Sequence, residues 1–124
     1  MADKKIILAV DDMPENLTLI HFLLKKDFDV RLARSAEQAL SLLENTAVDL
    51  ILLDIEMPRM SGFDFMEKFN ENPEHKKIPV IFVTSHGSVD FINRAINHGG
   101  RDYIVKPIRS DILRNKINAL LQDK

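Results

Sequence analysis

Five short apolar runs, separated by longer amphipathic stretches, restrict the fold of this chain more than any other feature. The runs are Ile6–Val10, Val30–Ala33, Leu50–Leu53, Val80–Val83 and Tyr103–Val105. Most are apolar throughout, without a polar residue at alternate positions. Such runs fit strands covered on both faces, the condition of a parallel sheet. Val30–Ala33 carries Arg31 and is the expected edge strand.

The intervening stretches have helical spacing. Leu17, Ile20 and Leu24 share one face, and Pro14 stands where a first-turn proline is tolerated. Ser35 and Gln38 have the spacing of a capping box ahead of Ala36, Ala39, Leu40 and Leu43. Gly62 is expected to permit a tight turn and to open a helix through Phe69. Ser88 is placed to cap a helix carrying Phe91, Ile92, Ala95 and Ile96, which Gly99 and Gly100 stop. The last helix starts near Ser110 and buries Leu113, Ile117 and Leu120. The alternation predicts an α/β chain of (βα)5 form: a doubly wound, five-stranded parallel sheet between two helical layers.

In such sheets ligands bind beyond the carboxyl ends of the strands, where strand order reverses. The first run ends in Asp11 and Asp12, the third in Asp54, the fourth in Thr84 and Ser85, and the fifth in Lys106 and Pro107. If the first and third strands are neighbours, the acidic residues meet in one pocket. Two carboxylates about 4 Å apart repel by roughly 4 kcal/mol at an effective dielectric near 20. Lys106 offsets part of this. The remainder calls for raised carboxyl pKa values or a divalent cation. An all-oxygen donor set favours Mg²⁺ or Mn²⁺ over Zn²⁺. A carboxylate in such a pocket can attack phosphorus and form an acyl phosphate, with Lys106 and Thr84 contacting the phosphoryl oxygens. The plainer reading of Asp11 and Asp12 is a helix cap, with Asp12 and Glu15 at capping-box spacing.

Composition removes several other chemistries. No cysteine is present, so disulfides, thiolate metal sites and cysteine nucleophiles are excluded. A net charge of −2 gives no electrostatic reason to expect direct nucleic-acid or membrane binding. Runs such as "IPVIFV" are too short to span a bilayer, and the first is too brief for a signal peptide. The expectation is one cytoplasmic domain over residues 1–124.

Taken together, "ILAVDDMPENL", "LILLDIEMPRMSGFDF", "IPVIFVTSHG" and "GGRDYIVKP" make the chain resemble a response-regulator receiver domain, the partner of sensor histidine kinases. The resemblance spans the chain and implies the flavodoxin-like, CheY-like strand order 2-1-3-4-5. It implies Asp54 as phosphoacceptor, with Asp12, Asp54 and the backbone carbonyl of Glu56 as direct Mg²⁺ ligands and Asp11 acting largely through water. Thr84 and Lys106 would hold the phosphoryl group, with the Lys106–Pro107 peptide cis. Tyr103 matches an aromatic switch position that follows Thr84, and Glu56 and His86 match two variable positions that modulate phosphoryl lifetime. The implied partners are a sensor histidine kinase or phosphotransfer protein and a downstream effector or output domain. A phosphorylation-dependent homodimer through the last helix is compatible with this reading. Such a domain is a switch that catalyses only its own phosphorylation and dephosphorylation.

The chain departs from the commoner pattern with Gly100-Arg101 where Ala-Asp is frequent, and "KPIRSDIL" lacks the Phe common after "KP" in DNA-binding members. Two other readings stand beside the switch. A phosphorylation-independent adaptor would keep the fold for docking alone. A haloacid-dehalogenase-like phosphatase would also use an aspartyl nucleophile and Mg²⁺, but it wants a second Asp where this chain has Glu56. A dinucleotide site is disfavoured, because "AVDDMPEN" has no glycine after the first strand.

Overall fold

The computed structural model describes residues 4–122. Five strands, β1 (Ile6–Val10), β2 (Asp29–Ala33), β3 (Leu50–Asp54), β4 (Val80–Thr84) and β5 (Asp102–Val105), form one sheet in the order β2-β1-β3-β4-β5. All four pairings are parallel. The helices are α1 (Pro14–Leu24), α2 (Ala36–Asn45), α3 (Gly62–Phe69), α4 (Val89–Asn97) and α5 (Ser110–Gln122), with a short 3₁₀ turn at His75–Lys77. Among the described residues no helix is long and apolar enough to cross a membrane.

The continuous apolarity of the strands follows from two cores. Side chains alternate across a strand. Leu8, Val10, Ile51, Leu53, Val80 and Phe82 face one way and pack with α2 and α3. Ile7, Ala9, Leu50, Leu52, Ile81, Val83 and Ile104 face the other way and pack with α1 and α5. β3 and β4 are buried at every position. β2 is an edge strand, as Arg31 predicts, and β5 is the other.

The helix starts refine the sequence reading. Ser35 Oγ accepts from the Gln38 amide at 3.0 Å, but the Gln38 side chain accepts from the Arg34 amide, one residue before the cap. Ser61 and Asp64 close a full capping box on α3, at 3.1 Å each way. Ser88 Oγ accepts from the Phe91 amide at 3.3 Å. Gly99 ends α4 with φ of 105°, a left-handed conformation that favours glycine. At α1 the cap is Met13, with Pro14 in the first turn and no side-chain cap, so Asp12 is not the capping residue. Asp11 takes the local role: its Oδ1 accepts from the Met13 amide at 2.9 Å.

Gly62 opens α3, which runs through Phe69 as expected. Its φ is not in the left-handed region, and what demands glycine is contact. A Cβ there would lie 2.6 Å from the Asp54 carbonyl oxygen and 2.8 Å from Ile55 Cα, both backbone atoms. The Gly62 amide donates to the Ile55 carbonyl at 2.7 Å, tying the start of α3 to the end of β3. Gly62→Ala is therefore expected to destabilise the fold by about 1–3 kcal/mol, because backbone must move to admit the methyl. Chemical denaturation measures this, and an unchanged midpoint would mean that α3 yields freely.

Candidate phosphoacceptor and metal site

Register brings the strand-end residues together. Val10 pairs with Leu53, so Asp11 and Asp54 follow side by side beyond β1 and β3. Asp54 pairs with Val83, and Thr84 pairs with Val105 just before Lys106. Alternation then sorts the side chains. Asp11, Asp54 and Lys106 continue the face of Ala9, Leu52 and Ile104, toward α1 and α5. Thr84 and Tyr103 continue the face of Phe82, toward α3.

Lys106 is the centre of the charge arrangement. Its Nζ lies 3.2 Å from Asp11 Oδ2 and 3.5 Å from Asp54 Oδ1. Asp11, 2% exposed, is the most heavily bonded carboxylate. Besides Met13 and Lys106, it accepts from Asn16 Nδ2 at 3.1 Å. Asp12 is half-buried and makes no side-chain hydrogen bond among the described residues. One oxygen from each of Asp11, Asp12 and Asp54 lies within 4.8 Å of the other two.

Asp54 is 5% exposed, and its carboxyl pKa is pushed from an ordinary 3.8 up to about 6. Burial is the main cause and the charge on Asp11 the next, while Lys106 pulls the other way. One lysine therefore does not neutralise the pocket. A divalent cation fits the donor set: among the described residues it has three converging carboxylates, no nitrogen or sulfur ligand, and one carboxylate with no protein partner.

Thr84 is 2% exposed and its Oγ1 accepts from the His86 amide at 3.0 Å. The Lys106 amide donates to the Thr84 carbonyl at 2.7 Å, and the Lys106–Pro107 peptide is cis. Glu56 does not enter the pocket through its side chain, because Oε1 meets His86 Nε2 at 2.9 Å on the exposed rim. The His86 ring rests on Phe91 of α4, with centroids 4.7 Å apart. Tyr103 is half-buried at the β5 edge, packed against the α2/α3 core.

Asn16 and the Glu56–His86 pair are contacts that reading the sequence missed. The first has a faint signal, an amide in the first turn of a helix that follows a strand-end acid. The second has a partial one: both residues match positions that modulate the phosphoryl group, but nothing across a separation of thirty residues marks them as a pair.

Comparison with known proteins agrees with this fold. The response regulator receiver domain family matches residues 7–118. The signal transduction histidine-protein kinase BarA of Shigella flexneri is 38% identical over 88% of the chain. A probable cyclic di-GMP phosphodiesterase of Vibrio cholerae serotype O1 is 36% identical over 95%. The chain spans only 12% and 27% of these two relatives. A CheY-like receiver domain structure from Methanospirillum hungatei JF-1 superposes with a TM-score of 0.87 at 31% identity, covering 98% of this chain and 96% of that one. With the strand order β2-β1-β3-β4-β5 and a family match over nearly its whole length, the chain belongs to the response-regulator receiver domains.

Proposed function

We propose that residues 1–124 act as one receiver unit that accepts a phosphoryl group on Asp54 and changes shape in response. The observation that carries this reading is the setting of Asp54: a buried carboxylate at a strand end, 3.5 Å from a lysine and grouped with two further acids. In the reaction an Asp54 oxygen attacks phosphorus. The bond from phosphorus to the donor nitrogen of a phosphohistidine breaks, and its electron pair leaves with the imidazole. With a small acyl phosphate the breaking bond is P–O, and the carboxylate leaves.

Asp12, Asp54 and the Glu56 carbonyl would hold Mg²⁺ or Mn²⁺ directly, with Asp11 contributing through water. Such an ion, when bound, offsets the negative charge on the phosphoryl oxygens. Asp11 anchors Lys106 beside Asp54 before the phosphoryl group arrives. Lys106 then meets an incoming oxygen with little rearrangement, which is the value of a preorganised charge. Thr84 Oγ1 already accepts from His86, so its proton is free to donate to a phosphoryl oxygen. A pull on Thr84 acts on the same sheet face as Tyr103, which supports Tyr103 as the responding ring. The pairing of Glu56 with His86 on the exposed rim supports a role for both in modulating water entry. That pairing also argues against Glu56 as the general acid of a phosphatase.

The family match supports a sensor histidine kinase or phosphotransfer protein as donor partner and an effector or output domain as recipient of the signal. A homodimer is one form that recipient could take. The domain's chemistry is its own phosphorylation and slow hydrolysis.

Incubation with Mg²⁺ and a small acyl phosphate is expected to add one hydroxylamine-labile phosphoryl group, read by intact mass. Asp54→Asn is expected to abolish it. Label that persists in the variant would move the acceptor elsewhere, and no label on the unaltered domain would favour a docking-only adaptor.

A further inference from the structure

Lys116 takes no part in the acidic pocket. It lies on α5, which packs on the α1/α5 face through Leu113 and Ile117. Its Nζ nevertheless sits at the β5 edge, 2.8 Å from Asp102 Oδ1 and 5.1 Å from the Tyr103 ring centroid. Tyr103 packs against the opposite core. The same Asp102 oxygen accepts from the Tyr103 backbone amide at 2.7 Å. One carboxylate oxygen thus joins the ammonium to the backbone of the residue whose ring the ammonium covers.

We infer that Lys116, anchored by Asp102, is a positioning residue for Tyr103: it stabilises the ring at its resting place on the β5 edge and so sets how readily the ring moves. The inference rests on the proposed coupling of Thr84 to Tyr103. A cation interacts with an aromatic face out to about 6 Å from the centroid. From 5.1 Å, an inward movement of about 1 Å would reach that limit. The ring's resting state therefore holds a contact that the displaced state lacks. At a partly exposed site this biases the two positions by roughly two- to fivefold. Tyr103 and Lys116 also line one shallow, mainly apolar groove of about 350 Å³ with Val105, Pro107 and Ile112, so the ring's position decides the shape of that surface.

The chain makes the test direct. It has one tyrosine and no tryptophan, so a fluorotyrosine label gives a single ¹⁹F resonance from Tyr103. The domain is titrated with beryllium fluoride, an acyl-phosphate mimic, in the presence of Mg²⁺. Lys116→Met, which keeps the apolar stem, is expected to lower the half-conversion concentration of the Tyr103 signal by two- to fivefold. Lys116→Arg is expected to restore the unaltered value, because the guanidinium keeps a cation over the ring. Asp102→Asn, which frees the ammonium, is expected to shift the midpoint in the same direction as Lys116→Met. If the unaltered signal responds but Lys116→Met keeps the same midpoint, the positioning role is refuted and the switch reading stands. If the unaltered signal does not respond to saturating mimic, Tyr103 is not the responding ring, and both fall.

Discussion

At pH 7 without divalent cations, Asp54→Asn is expected to melt roughly 10 °C above the unaltered domain, taking about 3–5 °C per kcal/mol for a chain of this size. The cause is the carboxylate itself. Asp54 is buried beside Asp11, and its pKa of about 6 lies well above its ordinary 3.8. The folded state thus binds this proton more tightly than the unfolded chain does. Stability from this group is fully present below the unfolded value and is lost as pH rises from about 4 through 6. Above that window, the ionised carboxylate costs the fold about 3 kcal/mol, and an amide of the same shape removes the cost.

The advantage of the variant should therefore shrink as pH falls and vanish near pH 4. Mg²⁺ should narrow it at pH 7, by stabilising the unaltered domain more than the variant. Thermal melts across pH, with and without Mg²⁺, measure all three effects. A variant that melts at or below the unaltered protein at pH 7, or a gap that ignores pH, would show that Asp54 is not an electrostatic burden on the fold.

The second large effect has the opposite sign. Lys106→Met keeps the side-chain length and deletes the cation that faces Asp11 and Asp54. Asp11 is 2% and Asp54 5% exposed, so water cannot screen the carboxylates that remain. Removing one partner from a buried ion pair costs about 3–5 kcal/mol. The loss should be greatest at neutral pH. Lys106 is one of the influences that lower the Asp54 pKa, so without it Asp54 holds its proton to higher pH. Acidification should then recover much of the lost stability.

The double variant Asp54→Asn, Lys106→Met isolates the interaction. It should be more stable at pH 7 than Lys106→Met alone, with a coupling of about 1–3 kcal/mol for groups in direct contact. Urea denaturation of the four proteins supplies the cycle. A coupling near zero would mean that Lys106 serves Asp11 alone.

The amino-acid sequence by itself determined the elements and the chemistry available to them. Continuous apolar runs at Leu50–Leu53 and Val80–Val83 mark strands buried on two faces, and both are buried throughout. Strand boundaries shifted by a residue: Asp54 and Thr84 are the last residues of β3 and β4, where the chain is still hydrogen-bonded to its neighbours. Ser35 and Ser88 cap because a hydroxyl ahead of a helix has a local partner three residues on. Asp12 failed as a cap because the helix starts one residue later, with Met13 at the N-cap and Pro14 in the first turn.

Only the tertiary structure decided which acids share Lys106, why Gly62 must lack a side chain, and that Lys116 of α5 reaches Tyr103 across the sheet edge. The reason lies in the same apolar runs that reveal the strands. A strand that is greasy on both faces carries no mark of its neighbours, and parallel neighbours are never joined by a short turn that would fix their register. Strand order and register emerge when four crossovers pack at once. The distances among Asp11, Asp12, Asp54 and Lys106 are a property of that packing.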